Sequence, residues 1–187
     1  MPELKSVKDL LEEEIKDLYS AEKQLTKAIP KMAKGSNNPE LEAAFRSHLK
    51  ETEGQVKRLE KVAQILETKP TGKKCMGMEG VIEEGAEALD EDGDENVLDL
   101  GIIGAGSRVE HYEMAGYMTA ISLAEKLGEA DIVQLLNESL EEEEAAEEKL
   151  RSISNQIIKS APADESKDEP QDQSQLTKQK AKVAGRS

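Results

Sequence analysis

The sequence predicts an all-α protein, a bundle of four long helices with one long connection, and three observations carry that expectation. Runs rich in Ala, Glu, Lys and Leu dominate the chain, and β-branched clusters are few. Apolar residues recur at steps of three and four along four long segments. Turn and capping signals fall between those segments. At 187 residues, one domain is the default.

Helix A is expected from about Ser6 to Lys34, with Ser6 as N-cap, Gly35 as the stop, and Pro30 near the end as a kink or terminator. Asn38-Pro39 is a cap followed by proline at the first helical position, so helix B starts there and runs to about Thr68. Pro70-Thr71-Gly72 is a turn signal, and a short helix over about Met78 to Asp90 follows it. Asp92-Gly93-Asp94 breaks the chain again. Helix C then runs from about Glu95 to Leu127, Gly128 ends it, and helix D runs from about Glu129 to Lys159. Two helix pairs joined by a long crossover containing a short fifth helix give the connectivity of ferritin-like four-helix bundles. The bundle is assigned to residues 1–160. From Ala161 to Ser187 large apolar side chains are almost absent, so this stretch is expected to be a disordered polar tail. Its five acids and five bases cancel, which leaves the net charge of −15 on residues 1–160.

That charge argues against nucleic acid and anionic membranes as partners, because both require a basic footprint. No stretch approaches the ~18 apolar residues of a membrane span. The charged start, Met1 to Lys8, lacks the apolar core of a signal peptide, so a cytoplasmic protein is expected. Cys75 is the single cysteine, which excludes an internal disulfide and a cysteine-rich zinc site; it reads as a buried or idle thiol.

The chemistry lies where the apolar stripes are interrupted. In helix A, Glu22 sits between Leu18 and Leu25 on the stripe Val7, Leu11, Ile15, Leu18, Leu25, Ile29. In helix B, His48 and Thr52 fill the stripe between Phe45 and Val56, with Glu51 beside it. For helix C the stripe is read as Leu100, Gly104, Ser107, Met114, Met118, Ile121, with His111 on it and Glu110 at its edge. In helix D, Glu143 and Glu147 interrupt Ile132, Leu136, Leu140, Leu150, Ile157. Taken singly, each has a plainer explanation: a boundary glutamate on a rotated helix, or a hydrogen-bonded structural histidine. The coincidence across four helices is what points to metal. Converging buried carboxylates repel and are costly to desolvate, and a divalent cation removes both penalties. Carboxylate with imidazole suits iron, manganese or zinc, and bundles of this kind hold di-iron and di-manganese centres.

Five stretches, Asp17-Leu18-Tyr19-Ser20-Ala21-Glu22-Lys23-Gln24-Leu25, His48-Leu49-Lys50-Glu51-Thr52-Glu53-Gly54-Gln55, Met78-Glu79-Gly80-Val81-Ile82-Glu83-Glu84, Val109-Glu110-His111-Tyr112-Glu113 and Leu140-Glu141-Glu142-Glu143-Glu144-Ala145-Ala146-Glu147, resemble in the same order the YciE/YciF family of bacterial ferritin-like proteins. The resemblance covers about residues 4–155. It implies a rubrerythrin-like bundle, a dinuclear metal centre, homodimerisation and a link to stress responses. One departure stands out: helix B lacks Glu-x-x-His, since His48 precedes Glu51 in reversed order, and helix D offers no histidine. A site so short of imidazole is oxygen-rich and less selective for iron over manganese.

The expected ligands are therefore Glu22 and Glu143 as bridges, with His48, His111 and Glu147 as terminal ligands. Glu110 and Glu51 are further ligands or orienting groups, around two divalent ions, iron or manganese. The expected reaction is Fe(II) oxidation by peroxide or oxygen. The alternatives are a metal binder without turnover and a metal-free dimeric structural or stress protein. Tyr19 and Tyr112, near the ligands in sequence, are expected at the surface. A second apolar face of helix C, Ile102, Val109, Leu123 and Leu127, reads either as packing for the short helix or as a dimer surface. The segment Cys75 to Asp92 is a candidate lid over one end of the bundle.

Overall fold

The computed structural model describes residues 4–164. The described residues form five helices: α1 (Val7–Gly35), α2 (Pro39–Ile65), α3 (Met76–Asp90), α4 (Glu95–Leu127) and α5 (Ala130–Ile157). The helices α1 and α2 pack as one hairpin and α4 and α5 as another, with α1 against α4 and α2 against α5. This is the expected bundle, with α3 carried in the crossover between the hairpins. Most of the expected polar tail, from Glu165 to Ser187, lies outside the described residues.

Local chemistry sets the boundaries. The Ser6 side chain accepts from the Asp9 amide, Asn38 from Glu40 and Leu41, and Asp94 from Asn96 and Val97. Gly128 takes the left-handed conformation (φ 76°) that ends α4. The helix α1 continues past Pro30, which sets aside the terminator reading of that proline, and it ends at Gly35 as expected, though without a positive φ there. A Cβ on Gly35 would lie 2.6 Å from Leu89 Cδ2 of α3, so that side chain would have to move aside to admit one. The helix α3 also starts earlier than expected, because the Cys75 sulfur accepts from the Met78 amide and caps it.

The helix α3 lies along the α1–α4 side of the bundle rather than over its end. Its Val81, Ile82 and Leu89 pack into a cluster with Leu25, Met32, Ile102 and Val109. Ile102 and Val109 are thus buried inside the chain, Leu123 is partly buried and Leu127 is exposed at the helix end. The packing reading of that face holds for its upstream half, and Ile102 and Val109 are unavailable to a second copy.

The core divides into two apolar clusters. One contains Leu25, Ile29, Leu41, Phe45, Ile103, Leu150 and Ile153. The other contains Leu11, Ile15, Leu18, Leu59, Val62, Tyr117, Ile132 and Leu136. The residues that interrupt the stripes form a polar layer between them.

Candidate metal centre

Each of the four long helices contributes to that layer. Glu22 comes from α1, His48 and Thr52 from α2, Glu110 and Glu113 from α4, and Glu143 from α5, and all are buried. Ligand atoms of His48, Glu110, Glu113 and Glu143 lie within 4.8 Å of one another, close enough to share one ion. His48 Nε2 is 3.4 Å from Glu110 Oε2 and 3.6 Å from Glu143 Oε2, and its Nδ1 is 3.3 Å from Glu51 Oε2. Tyr117, fully buried, donates its hydroxyl to Glu22 Oε1.

The cluster is short of hydrogen bonds. Both oxygens of Glu113 and of Glu143, Oε2 of Glu22, of Glu110 and of Glu147, and Nε2 of His48 have no hydrogen-bond partner within the protein. Asp99 shows what a satisfied buried carboxylate looks like in the same chain: its two oxygens accept from the amides of Asn37 and Asn38, each at 2.8 Å. The acids of the layer have no such donors, yet they face one another.

Electrostatics follow from that arrangement. Burial, then the Glu143 charge, pushes Glu22 well above the usual carboxylate range. Burial with Glu22, Glu143 and Glu110 does the same to Glu113, and burial with Glu110 to Glu143. Burial raises Glu110 to about 8. For His48 burial pulls downward, but Glu51, Glu143 and Glu22 outweigh it and hold the imidazole above its ordinary value. Without a cation these groups avoid repulsion by keeping their protons. Converging carboxylates, one imidazole and orphaned oxygens fit a divalent cation of the iron or manganese type.

Not every expected ligand is drawn in. The His111 side chain is 66% exposed and reaches only the edge of the layer, with Nε2 3.8 Å from Glu147 Oε1. This corrects its placement on the inner stripe. Glu51 is 40% exposed and touches the layer through His48, and Glu147 is 20% exposed. Glu113 and Tyr117, both fully buried, are absent from the expected ligand set. The stripe expected for helix C lies one residue too far along the chain, a rotation of about 100° from the observed inner face. The inner face is Ile103, Gly106, Glu110, Glu113, Tyr117 and Ala120, and Met118 is 51% exposed. The missed signal was Glu110-x-x-Glu113 with Tyr117 four residues later. Tyr19 donates to Glu60, and Tyr112 lies against Cys75 and Asp17.

The family described as Domain of unknown function (DUF892) matches residues 6–163. The chain belongs to this family. Among DUF892 relatives, Protein YciF of Escherichia coli K12 is 41% identical over 163 residues, which span 84% of this chain and 96% of that one. The crystal structure of the E. coli stress protein YciF matches with a TM-score of 0.82 at 40% identity, covering 84% of this chain and 100% of that chain. YcfI from Rhodopseudomonas palustris matches with a TM-score of 0.78 at 43% identity, covering 80% of this chain and 96% of that chain. A Xanthomonas campestris protein at 21% identity, with a TM-score of 0.66 and 83% and 95% coverage, shares the fold. No helix among the described residues of this DUF892 chain is long and apolar enough to cross a membrane.

Proposed function

We propose that this chain is a stress-associated protein whose polar layer holds two divalent metal ions, iron or manganese, with Glu22, His48, Glu110, Glu113, Glu143 and Glu147 as the ligands. The observation that carries this reading is the set of buried carboxylate oxygens without hydrogen bonds, contributed by three helices around His48. Such an arrangement is costly as bare protein and becomes favourable around a cation. The stress association rests on the likeness to YciF, described as a stress protein.

Iron or manganese bound here supplies redox chemistry toward peroxide or oxygen, of the class that oxidises Fe(II). The protein's own groups prepare the site. Glu51 at Nδ1 orients the His48 ring and leaves Nε2 facing the acids. Tyr117 fixes Glu22 from one side. The apolar clusters on either side lower the local dielectric around the layer, which strengthens every interaction with the ions. With one imidazole among carboxylates the ligand set is hard, so manganese competes with iron.

The test is elemental analysis with anomalous scattering on protein purified without chelators, followed by Fe(II) oxidation assays. Two ions per chain and oxidation above background are the expected result. Two ions without oxidation would leave a metal-binding protein with no turnover. No bound ion, and no rise in Tm on adding Mn(II), would overturn the reading.

A further inference from the structure

A groove opens beside the polar layer, between α2 and α5. Small side chains face each other there, Ala43, Ala44 and Ser47 on one helix and Ala145 and Ala146 on the other, and they leave a space of about 380 Å³. Phe45 and Leu150 complete apolar walls. His48 and Glu110 form the inner end, both more than nine-tenths buried, and their Nε2 and Oε2 atoms have no hydrogen bond within the protein. At the outer rim Lys149 of α5 pairs with Glu40 of α2.

Size and polarity constrain the occupant. A molecule of oxygen or peroxide needs little more room than a water, ~30 Å³ in the liquid. The groove is many times larger, and its 380 Å³ falls within the range of small-molecule sites, roughly 300–1,000 Å³. Its walls are apolar along most of their length, and the polar residues His48, Glu51 and Glu110 are gathered at one end, with the orphaned Nε2 and Oε2 atoms just behind that end, turned toward the acids of the layer. That is the complement of a molecule that is apolar along its body and polar at one tip.

We propose that this groove binds a small organic molecule with an apolar body and one oxygen-bearing head. The body lies against Ala44, Phe45, Ala146 and Leu150, and the head points to the His48 and Glu110 end, where two of the proposed metal ligands meet the groove. The inference rests on the metal reading above for what holds the head, and on the groove alone for what holds the body.

The two parts separate in one experiment. The full chain, loaded with Mn(II), is titrated calorimetrically with acetohydroxamate and with hexanohydroxamate, which share a metal-seeking head and differ by four methylenes. The longer probe is expected to bind at least about tenfold tighter, since each buried methylene adds affinity. In Ala146→Phe and in Ala43→Leu, which fill the groove from opposite walls, that advantage is expected to vanish. Bound Mn(II) and acetohydroxamate affinity should stay at the wild-type level. Ala43 is exposed on its helix, so its replacement leaves the core intact, and circular dichroism checks both variants. Equal affinity for the two probes in the wild type, or an advantage that survives both substitutions, overturns the groove. If the protein takes up neither Mn(II) nor Fe(II), the metal reading fails by itself. The same chain-length comparison on the ion-free protein then decides the groove: an advantage lost in both variants supports it, and none overturns it.

Discussion

Glu113 presents two buried oxygens and no donor for either. In protein stripped of metal, Glu113→Gln removes an acid that burial and three neighbouring glutamates disfavour. The variant is therefore expected to be more stable than wild type when stripped, by about 2 kcal/mol or a Tm rise of about 6 °C. Added Mn(II) should stabilise it less than it stabilises wild type, and differential scanning calorimetry with and without the ion reads both effects. Glu110 sets a pH dependence with a definite sign. Unfolded it ionises near 4.5, and folded at about 8, so between those values the unfolded chain has released a proton that the folded one keeps. Stripped protein should lose stability as pH rises through that window and change little further from this group above it. His48, also raised, contributes in the same direction. Glu110→Gln should flatten the profile, as seen in urea midpoints from pH 5 to 9. Metal binding must displace the same protons, so uptake should acidify an unbuffered solution.

Individual helices carry their own tests. Asp99 of α4 holds the α1–α2 connection through the amides of Asn37 and Asn38. Asp99→Ala removes two charge-assisted hydrogen bonds and orphans two donors, so a loss of about 3 kcal/mol is expected, read as a lower urea midpoint at constant slope. The C-terminus of α2 shows the opposite case. Glu67 occupies the left-handed position that glycine normally takes (φ 57°), while the Thr68 amide bonds to Ala63 across the helix end. Glu67→Gly is expected to raise stability by about 1 kcal/mol, measured by the same denaturation. At this scale the sequence was largely legible. The caps at Ser6, Asn38 and Gly128 act as the spacing predicted, and α1, α2 and α5 turn the expected faces inward. The rotation of α4 is hidden in the sequence because this helix is covered on two sides, by the bundle and by α3. A helix apolar on two faces has no single polar side to fix its rotation, so Met114 and Met118 drew the stripe one residue away from Glu113 and Tyr117.

Across the whole molecule, four helices meet at one polar layer, with an apolar cluster on each side of it. A cation in that layer would tie both hairpins together. The helix α3 stands apart from this arrangement. Met78 is its only fully buried residue, and its other apolar side chains are half-covered. Hydrogen exchange should therefore find its amides opening well below the free energy of α1, α2, α4 and α5, with metal slowing the bundle more than α3. Equal protection throughout would contradict this. The anchor of α3 is Cys75, wholly buried, with its sulfur 2.9 Å from Asp17 Oδ2 and 3.0 Å from the Tyr112 hydroxyl. Burial, then Asp17, pushes that thiol above its ordinary pKa. Because the chain has a single cysteine, the protein carries its own stopwatch. A maleimide dye can attach only in the moments when α3 swings clear, so the speed of tagging counts those excursions one molecule at a time.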